Sequence, residues 1–381
     1  MLKRVFAKLA DPRYHIFILV AITVGSWVLL ALPLHEDLSV LYRYWDGPMY
    51  ITVAKTFYNI PRDNPITNAY GWSPQVFAPF LLMYPLAIRL VAPILGYHWG
   101  MVFLSVAFSA LAAVIFYTML RDLGLSDQPL WLAILFLFVP YRWLIYRSVG
   151  ASEPMFLALL FLSLFLFAKR RYALSFLAAA VACDTRIQGI LLVPTYLVLI
   201  FSDRRLDLPN KVLLALGTLV IPVLFYLNLM LHAWRFGDFL AYLDVNRGMI
   251  HPVPFWQMVD HARHALSVGE YINSQLFLVL YAITLVGLAR LWSIDRSKVL
   301  FVYSLITFIF VTLIVDEDLS RFMIPVASFT WVLGFKEVWR DRKMQWVLPV
   351  ILLLTYLYAW NLIPVNQAFV HTTAELLQWH P

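Results

Sequence analysis

The sequence predicts an all-α polytopic membrane protein, on three observations. Of its 381 residues 62% are hydrophobic and only 13% charged, with a mean hydropathy of +0.76. A soluble globular domain does not have that composition. Apolar runs long enough to cross roughly 30 Å of hydrocarbon recur along the whole chain, with short polar loops between them. The basic clusters fall in alternate loops, the pattern that orients helices in a bilayer.

Taken in order, the elements read as one membrane domain over residues 1–381. Residues 1–14 form a cytoplasmic N-terminus, 34–98 a first outer loop and 233–272 a second large outer loop. The first apolar run, His15 to Leu32, follows Lys3, Arg4, Lys8 and Arg13. No small-residue cleavage site comes after it, so it is read as a retained helix. Further helices are expected near 99–119, 130–146, 152–168, 172–184, 188–202, 212–232, 273–290, 299–315, 322–336 and 346–363, about eleven crossings with the first at 15–33.

Hydropathy alone would make Gln75 to Leu95 a further span and 172–202 a single helix, but Lys169-Arg170-Arg171 would then face outward. Two adjustments bring every basic cluster inside. Gln75 to Leu95, interrupted by Pro79, Pro85 and Pro93, lies along the outer surface or re-enters. Residues 172–202 break around Asp184-Thr185-Arg186-Ile187-Gln188-Gly189. The inner segments then hold 18 of the 29 Lys and Arg and 8 of the 22 acidic residues. The net charge of +7 is thus an orientation signal and does not point to nucleic acid.

Within the first outer loop stands Tyr44-Trp45-Asp46-Gly47-Pro48. Pro48 favours a helix start, and Tyr50, Val53, Ala54 and Phe57 continue an apolar face, so 48–58 is expected to lie on the membrane surface. Asp46 either caps that helix or is a carboxylate held ionised for chemistry, and Gly47 removes a side chain that could block a substrate.

The outer side also collects Glu153, Asp184, Arg186, Asp238, Asp316, Glu317, Asp318 and Arg321, with Arg147 and Arg247. Arg186 lies within a long apolar stretch, where a charge costs around 3 kcal/mol. It needs an anion: Asp184 or Glu153 in an ion pair, or a lipid phosphate. Asp316-Glu317-Asp318 is either a divalent-cation motif or a polar turn. His251, His261 and His264 suggest interfacial histidines more readily than zinc, since no third ligand stands at a convincing spacing. Cys183 is the only cysteine, which excludes an internal disulfide, and the absence of an Asn-X-Ser/Thr sequon fits a prokaryotic source.

Trp45-Asp46-Gly47 with Tyr50 resembles the Trp-Asp-Gly-X2-Tyr signature of the GT-C membrane glycosyltransferases, most closely the family of the second GPI mannosyltransferase with its bacterial and archaeal relatives. Phe77 through Tyr84-Pro85 and Arg89 is similar to that family's Phe/Pro-rich segment, and Ser152-Glu153-Pro154-Met155-Phe156 to its Thr-Glu-Ser-Leu-Phe. Thr185-Arg186-Ile187-Gln188-Gly189 resembles Thr-Arg-Ser-Asn-Gly, Phe236-Gly237-Asp238-Phe239-Leu240-Ala241-Tyr242 resembles Phe-Gly-Asp-Pro-Leu-Ala-Phe, and Arg321-Phe322-Met323-Ile324-Pro325 resembles Arg-Tyr-X2-Pro. The six motifs keep the family's order between residue 44 and about 335. Pro48, Gln188 and Phe239 depart from the pattern without removing an ionisable group, which leaves the acceptor open.

The resemblance implies a GT-C fold with a catalytic first outer loop. It also implies inverting transfer of a sugar, mannose in that family, from a polyprenyl-phosphate donor to a glycolipid, glycan or protein acceptor. Asp46 would be the general base. Arg186 and Arg321, with Arg147 as a further candidate, would bind the donor phosphate, and Trp45, Tyr50, Glu153, Gln188 and Asp238 would orient donor or acceptor. No cofactor is required, although Asp316 and Asp318 keep a divalent cation open. The expected location is the cytoplasmic membrane of a prokaryote, among membrane lipids, with the active site extracytoplasmic. Two other functions fit the same features: a flippase for lipid-linked sugars, and a non-catalytic partner subunit of a glycosylation complex.

Overall fold

A computed structural model describes residues 11–264, 268–316, 318–368 and 370–379, and for 261–264, 268–275 and 370–371 it describes the backbone alone. Lys3, Arg4, Lys8 and Glu317 therefore lie outside the described residues, as do the side chains of His261 and His264. All named regular elements among the described residues are helices, with isolated bridges pairing Tyr44 with Gln367 and Ile250 with Ile314.

Among the described residues four helices are long and apolar enough to cross a membrane: Pro12–Leu34, Tyr97–Asp122, Leu208–Phe236 and Arg342–Val365. Their starts are written locally. Asp11, Asp207 and Asp341 cap three of them by accepting backbone N–H bonds, with Pro12 and Pro209 in the first turns of two. Shorter apolar helices fill the bundle between them, and Glu153–Ala168 packs against both Tyr97–Asp122 and Tyr172–Cys183. Fully buried Phe116, Phe136, Phe161 and Phe329 meet there at ring separations of 5.2–6.2 Å, so the centre is aromatic and close-packed.

Several expected elements differ in detail. The continuous helix over 130–146 is two, Pro129–Phe136 and Tyr141–Tyr146, because Pro140 has no N–H for the ladder and disfavours helical backbone at Val139. The helix over 322–336 becomes Leu319–Ala327 followed by a π-helical turn at Ser328–Leu333. There Gly287 of the neighbouring helix lies so close that an added Cβ would stand 2.5 Å from the Thr330 carbonyl oxygen. The stretch 75–95 folds as Pro74–Phe77 and Met83–Leu95, and the latter, about 20 Å long at 1.5 Å per residue, packs on Gly47–Thr56 and Tyr97–Asp122. A C-terminal helix, Val370–Gln378, had no sequence signal. Lys55 ties down its end by donating to the carbonyls of Leu376, Leu377 and Trp379 at 2.8, 3.3 and 2.6 Å.

The basic loops converge at one end of the bundle. Lys169 donates to the Asp122 carbonyl, Arg170 pairs with Asp203, Lys298 reaches Ser202, Lys336 reaches the Leu125 carbonyl and Arg340 pairs with Asp127. Asp46, Glu153, Arg186 and Arg321 gather in a cluster of their own, separate from these loops.

Candidate active site

Asp46 is fixed by its flanks. The Gly47 N–H donates to the Tyr44 carbonyl at 2.7 Å and the Trp45 N–H to the Asn366 carbonyl at 3.3 Å, which locks the turn from both sides. Asp46 occupies the cap position of Gly47–Thr56, but its carboxylate makes no capping bond and accepts instead from the Arg321 guanidinium. Gly47 also has a different role from the expected one. An added Cβ would stand 2.4 Å from the Tyr42 carbonyl oxygen, so glycine there permits backbone contact rather than clearing room for a substrate.

The other charges come from helix starts and a helix break. Glu153 opens its helix ahead of Pro154. Arg186 is extended, at φ −148°, between Tyr172–Cys183 and the 3-10 turn Ile187–Leu191. That break is tight: a Cβ on Gly189 would lie 2.5 Å from the Cys183 nitrogen. Arg321 lies in the first turn of Leu319–Ala327.

These four charges form one cluster. Arg321 bonds Asp46 through Nη2 and Glu153 through Nε, and its guanidinium lies 4.6 Å from the Tyr146 ring centre. Glu153 Oε1 also accepts from Arg186 Nη1 at 2.8 Å, and the same nitrogen reaches Ser152 Oγ at 3.2 Å. Arg186 is thus paired with Glu153, while Asp184 accepts from Asn228 at 2.9 Å. The side chains are 4 to 17% exposed, so each charge is held by its partners with little help from water. Glu153 Oε2 is buried with no hydrogen-bond partner. Two carboxylates and two guanidiniums balance, which permits the cluster to be buried.

A cavity of about 220 Å³ opens onto this cluster, lined by Asp46, Tyr50, Arg186, Gln188, Asp318 and Arg321 among others. Gln188 is oriented by donating to the Phe322 carbonyl at 3.2 Å, and Tyr50 bonds Ser152 Oγ at 2.7 Å. Burial, and next the nearby Asp46 charge, push the Tyr50 hydroxyl well above its ordinary range, so it serves as a neutral hydrogen-bonding group. Pro79 and Phe80 form part of one wall, and Tyr242, Asn246 and Met249 come from the second large loop.

The structure leaves some expected residues outside the cavity and commits others on its wall to protein partners. Arg147 is wholly buried elsewhere, donating to the Leu137 carbonyl and Ser26 at 2.9 Å, against the Phe138 ring. It does not line the cavity. Asp238 accepts from the Leu240 N–H at 2.8 Å, so it shapes the turn that leads to Tyr242. Trp45 stands beside Asp46 but its ring meets Tyr70 and Trp72. Asp318 is committed to Arg142 at 2.8 Å, to Ser320 at 3.1 Å and to the Tyr146 hydroxyl, and Asp316 accepts from the Asp318 N–H at 2.6 Å. Among the described residues no three His, Cys, Asp or Glu side chains converge as a metal set.

Sequence reasoning missed Arg142, Tyr146 and Asn246, and gave Tyr242 no role of its own. Arg142 did carry a signal, a lone charge in the apolar run 130–146 that demanded a partner. Tyr242 closed the Phe236–Tyr242 motif without being singled out, and Tyr146 and Asn246 carried none, because nothing local separates a site side chain from an interfacial one.

The helical bundle and its charged site at one end define an all-α integral-membrane architecture. No protein-family model matches the chain, and no curated protein does. Among solved structures it is similar to ArnT from Cupriavidus metallidurans bound to undecaprenyl phosphate, with a TM-score of 0.54 and 14% sequence identity. The match covers 88% of this chain and 62% of the ArnT chain. At that identity the likeness is one of fold.

Proposed function

We propose that the chain is an inverting GT-C glycosyltransferase that moves a sugar, mannose by the motif resemblance, from a polyprenyl phosphate to an acceptor hydroxyl on a glycolipid, glycan or protein. The observation that carries this reading is the shared cavity of Asp46 and Arg186, a carboxylate and a guanidinium brought together from distant parts of the chain. ArnT was bound to undecaprenyl phosphate, which supports a polyprenyl-phosphate donor.

In this reading the acceptor oxygen attacks the anomeric carbon while its proton passes to Asp46. Arg321 holds Asp46 through Oδ2, which leaves Oδ1 for that proton. The bond between the anomeric carbon and the phosphate oxygen breaks, its electron pair leaves on the polyprenyl phosphate, and one-step displacement inverts the centre. Arg186 takes up the departing charge, since its bonds within the cluster run through Nη1. Arg321, with Nε and Nη2 given to carboxylates, chiefly positions Asp46 and Glu153 and reaches the phosphate through Nη1. A guanidinium aimed at developing phosphate charge in a water-poor site lowers the barrier without a cofactor. The site faces the extracytoplasmic side of a prokaryotic cytoplasmic membrane, with the basic loops inside.

The test is transfer of radiolabelled mannose from polyprenyl-phosphate-mannose to total membrane lipid by wild type and Asp46→Asn. A positioned base contributes about 10²- to 10⁴-fold, so the variant, whose amide oxygen can still accept from Arg321, should lose turnover by that factor in its folded fraction. Equal turnover by both proteins would remove Asp46 from the chemistry.

A further inference from the structure

We infer that Trp45, Tyr70 and Trp72 form a stacking platform for the sugar ring of the acceptor, immediately beside Asp46; the inference rests on the transferase reading above. Tyr70 and Trp72 are stacked at 4.3 Å with an interplanar angle of 15°. Trp45 stands edge-on to both, at 6.2 and 6.3 Å. Three rings interlocked in this way form one rigid surface rather than three independent side chains.

The platform presents Trp45 to the outside. Trp45 is 42% exposed, although its backbone is locked in the turn that also carries Asp46, while Tyr70 and Trp72 behind it are half-buried. Its neighbours are held from behind. Asn64, fully buried, caps Pro65–Tyr70 by accepting from Ile66 and Thr67 at 3.1 and 3.0 Å, the Trp72 N–H donates to the Thr67 carbonyl, and the C-terminal helix packs against Pro65–Tyr70. Two half-buried rings thus hold an exposed third, Trp45, in a fixed orientation.

Position selects the occupant. A general base must come within hydrogen-bond reach of the hydroxyl it deprotonates, so the acceptor ring lies within one sugar of Asp46. Trp45 is the adjoining residue in the same turn. Trp72 belongs to the loop whose continuation, Pro79 and Phe80, lines the cavity, so platform and cavity wall are one element. A sugar ring has apolar C–H faces and polar edges. Laid on the platform it would keep its hydroxyls at the edge, where Asp46 can select one. The donor phosphate is left to Arg186 within the cavity, so the aromatic rings belong to the acceptor.

The rival is a belt of interfacial aromatic anchors, which would bind headgroups of any lipid and not a sugar in particular. Kinetics and binding separate the two, using polyprenyl-phosphate-mannose as donor and octyl α-D-mannopyranoside as acceptor. Trp45→Ala and Trp72→Ala should each raise the acceptor KM about tenfold, with the donor KM changing less than twofold, and Trp45→Phe should recover most of the loss. Tryptophan fluorescence of wild type should respond saturably to octyl mannoside and not to octanol, and that response should be lost in Trp45→Ala. An unchanged acceptor KM in both alanine variants, with lower melting temperatures, would reduce the rings to anchors and overturn the platform. The fluorescence titration needs no turnover, so the two readings fail separately. A sugar-specific response with full turnover in Asp46→Asn would keep the platform and reject the base.

Discussion

The two charged ends of this molecule use the same residue types in opposite ways. At the basic end Arg340 and Asp127 pair at 3.0 Å with side chains 54% and 66% exposed, and Arg170 and Asp203 pair at 2.9 Å with 46% and 26% exposed. At the Asp46 end Arg186, Glu153, Arg321 and Asp46 are at most 17% exposed and share atoms, since one Glu153 oxygen serves both arginines. Water and salt screen the first set, so each pair can be lost almost unnoticed. The second set has no such reserve. Removing one member leaves its partners charged and dry, which couples the stability of the site to its composition. Charge near the basic loops is therefore dispensable pair by pair, while charge at the other end is interlocked.

Single substitutions should grade this contrast. Glu153→Ala strands two buried guanidiniums and should cost about 3–5 kcal/mol, read as thermal unfolding of the purified protein in detergent. A loss under 1 kcal/mol would mean that water already reaches the cluster, and the contrast between the ends would collapse. Arg186→Ala removes a charged hydrogen-bond donor worth about 1.5–3 kcal/mol, so the donor KM should rise roughly tenfold to a hundredfold in the transfer assay. An unchanged donor KM would assign Arg186 to structure alone. Gly47→Ala drives a Cβ against the Tyr42 carbonyl and should destabilise by about 1–3 kcal/mol in the same melting experiment. Full stability there would show that the turn carrying Asp46 can yield. Arg340→Ala, at the exposed end, should shift stability by less than about 1 kcal/mol and leave transfer untouched. A larger loss would make the basic end structural as well.

Much of the site was legible as residues and little of it as geometry. Asp46, Glu153, Arg186, Gln188 and Arg321 stand out because an ionisable or amide group in so apolar a chain requires an explanation. The same reasoning brought in Arg147, which the fold buries against Ser26 and the Leu137 carbonyl, away from the cavity. A buried arginine announces that it needs partners but not which ones. Arg186 had Asp184 two residues away and pairs with Glu153 instead, because the helix break turns Asp184 toward Asn228.

By itself the sequence determined the all-helical, membrane-embedded class and the break around Arg186. These rest on composition, on apolar run length and on local backbone chemistry, all of which act over a few residues. Tertiary structure alone decided that Arg321 bridges Asp46 and Glu153 across 275 and 168 residues of chain, that Asp318 serves Arg142 and Tyr146, and that Trp45 meets Tyr70 and Trp72. Such pairings are set by which helix ends the packed bundle brings together. No local pattern encodes them, since the energy that selects them is the cost of leaving a buried charge without its partner.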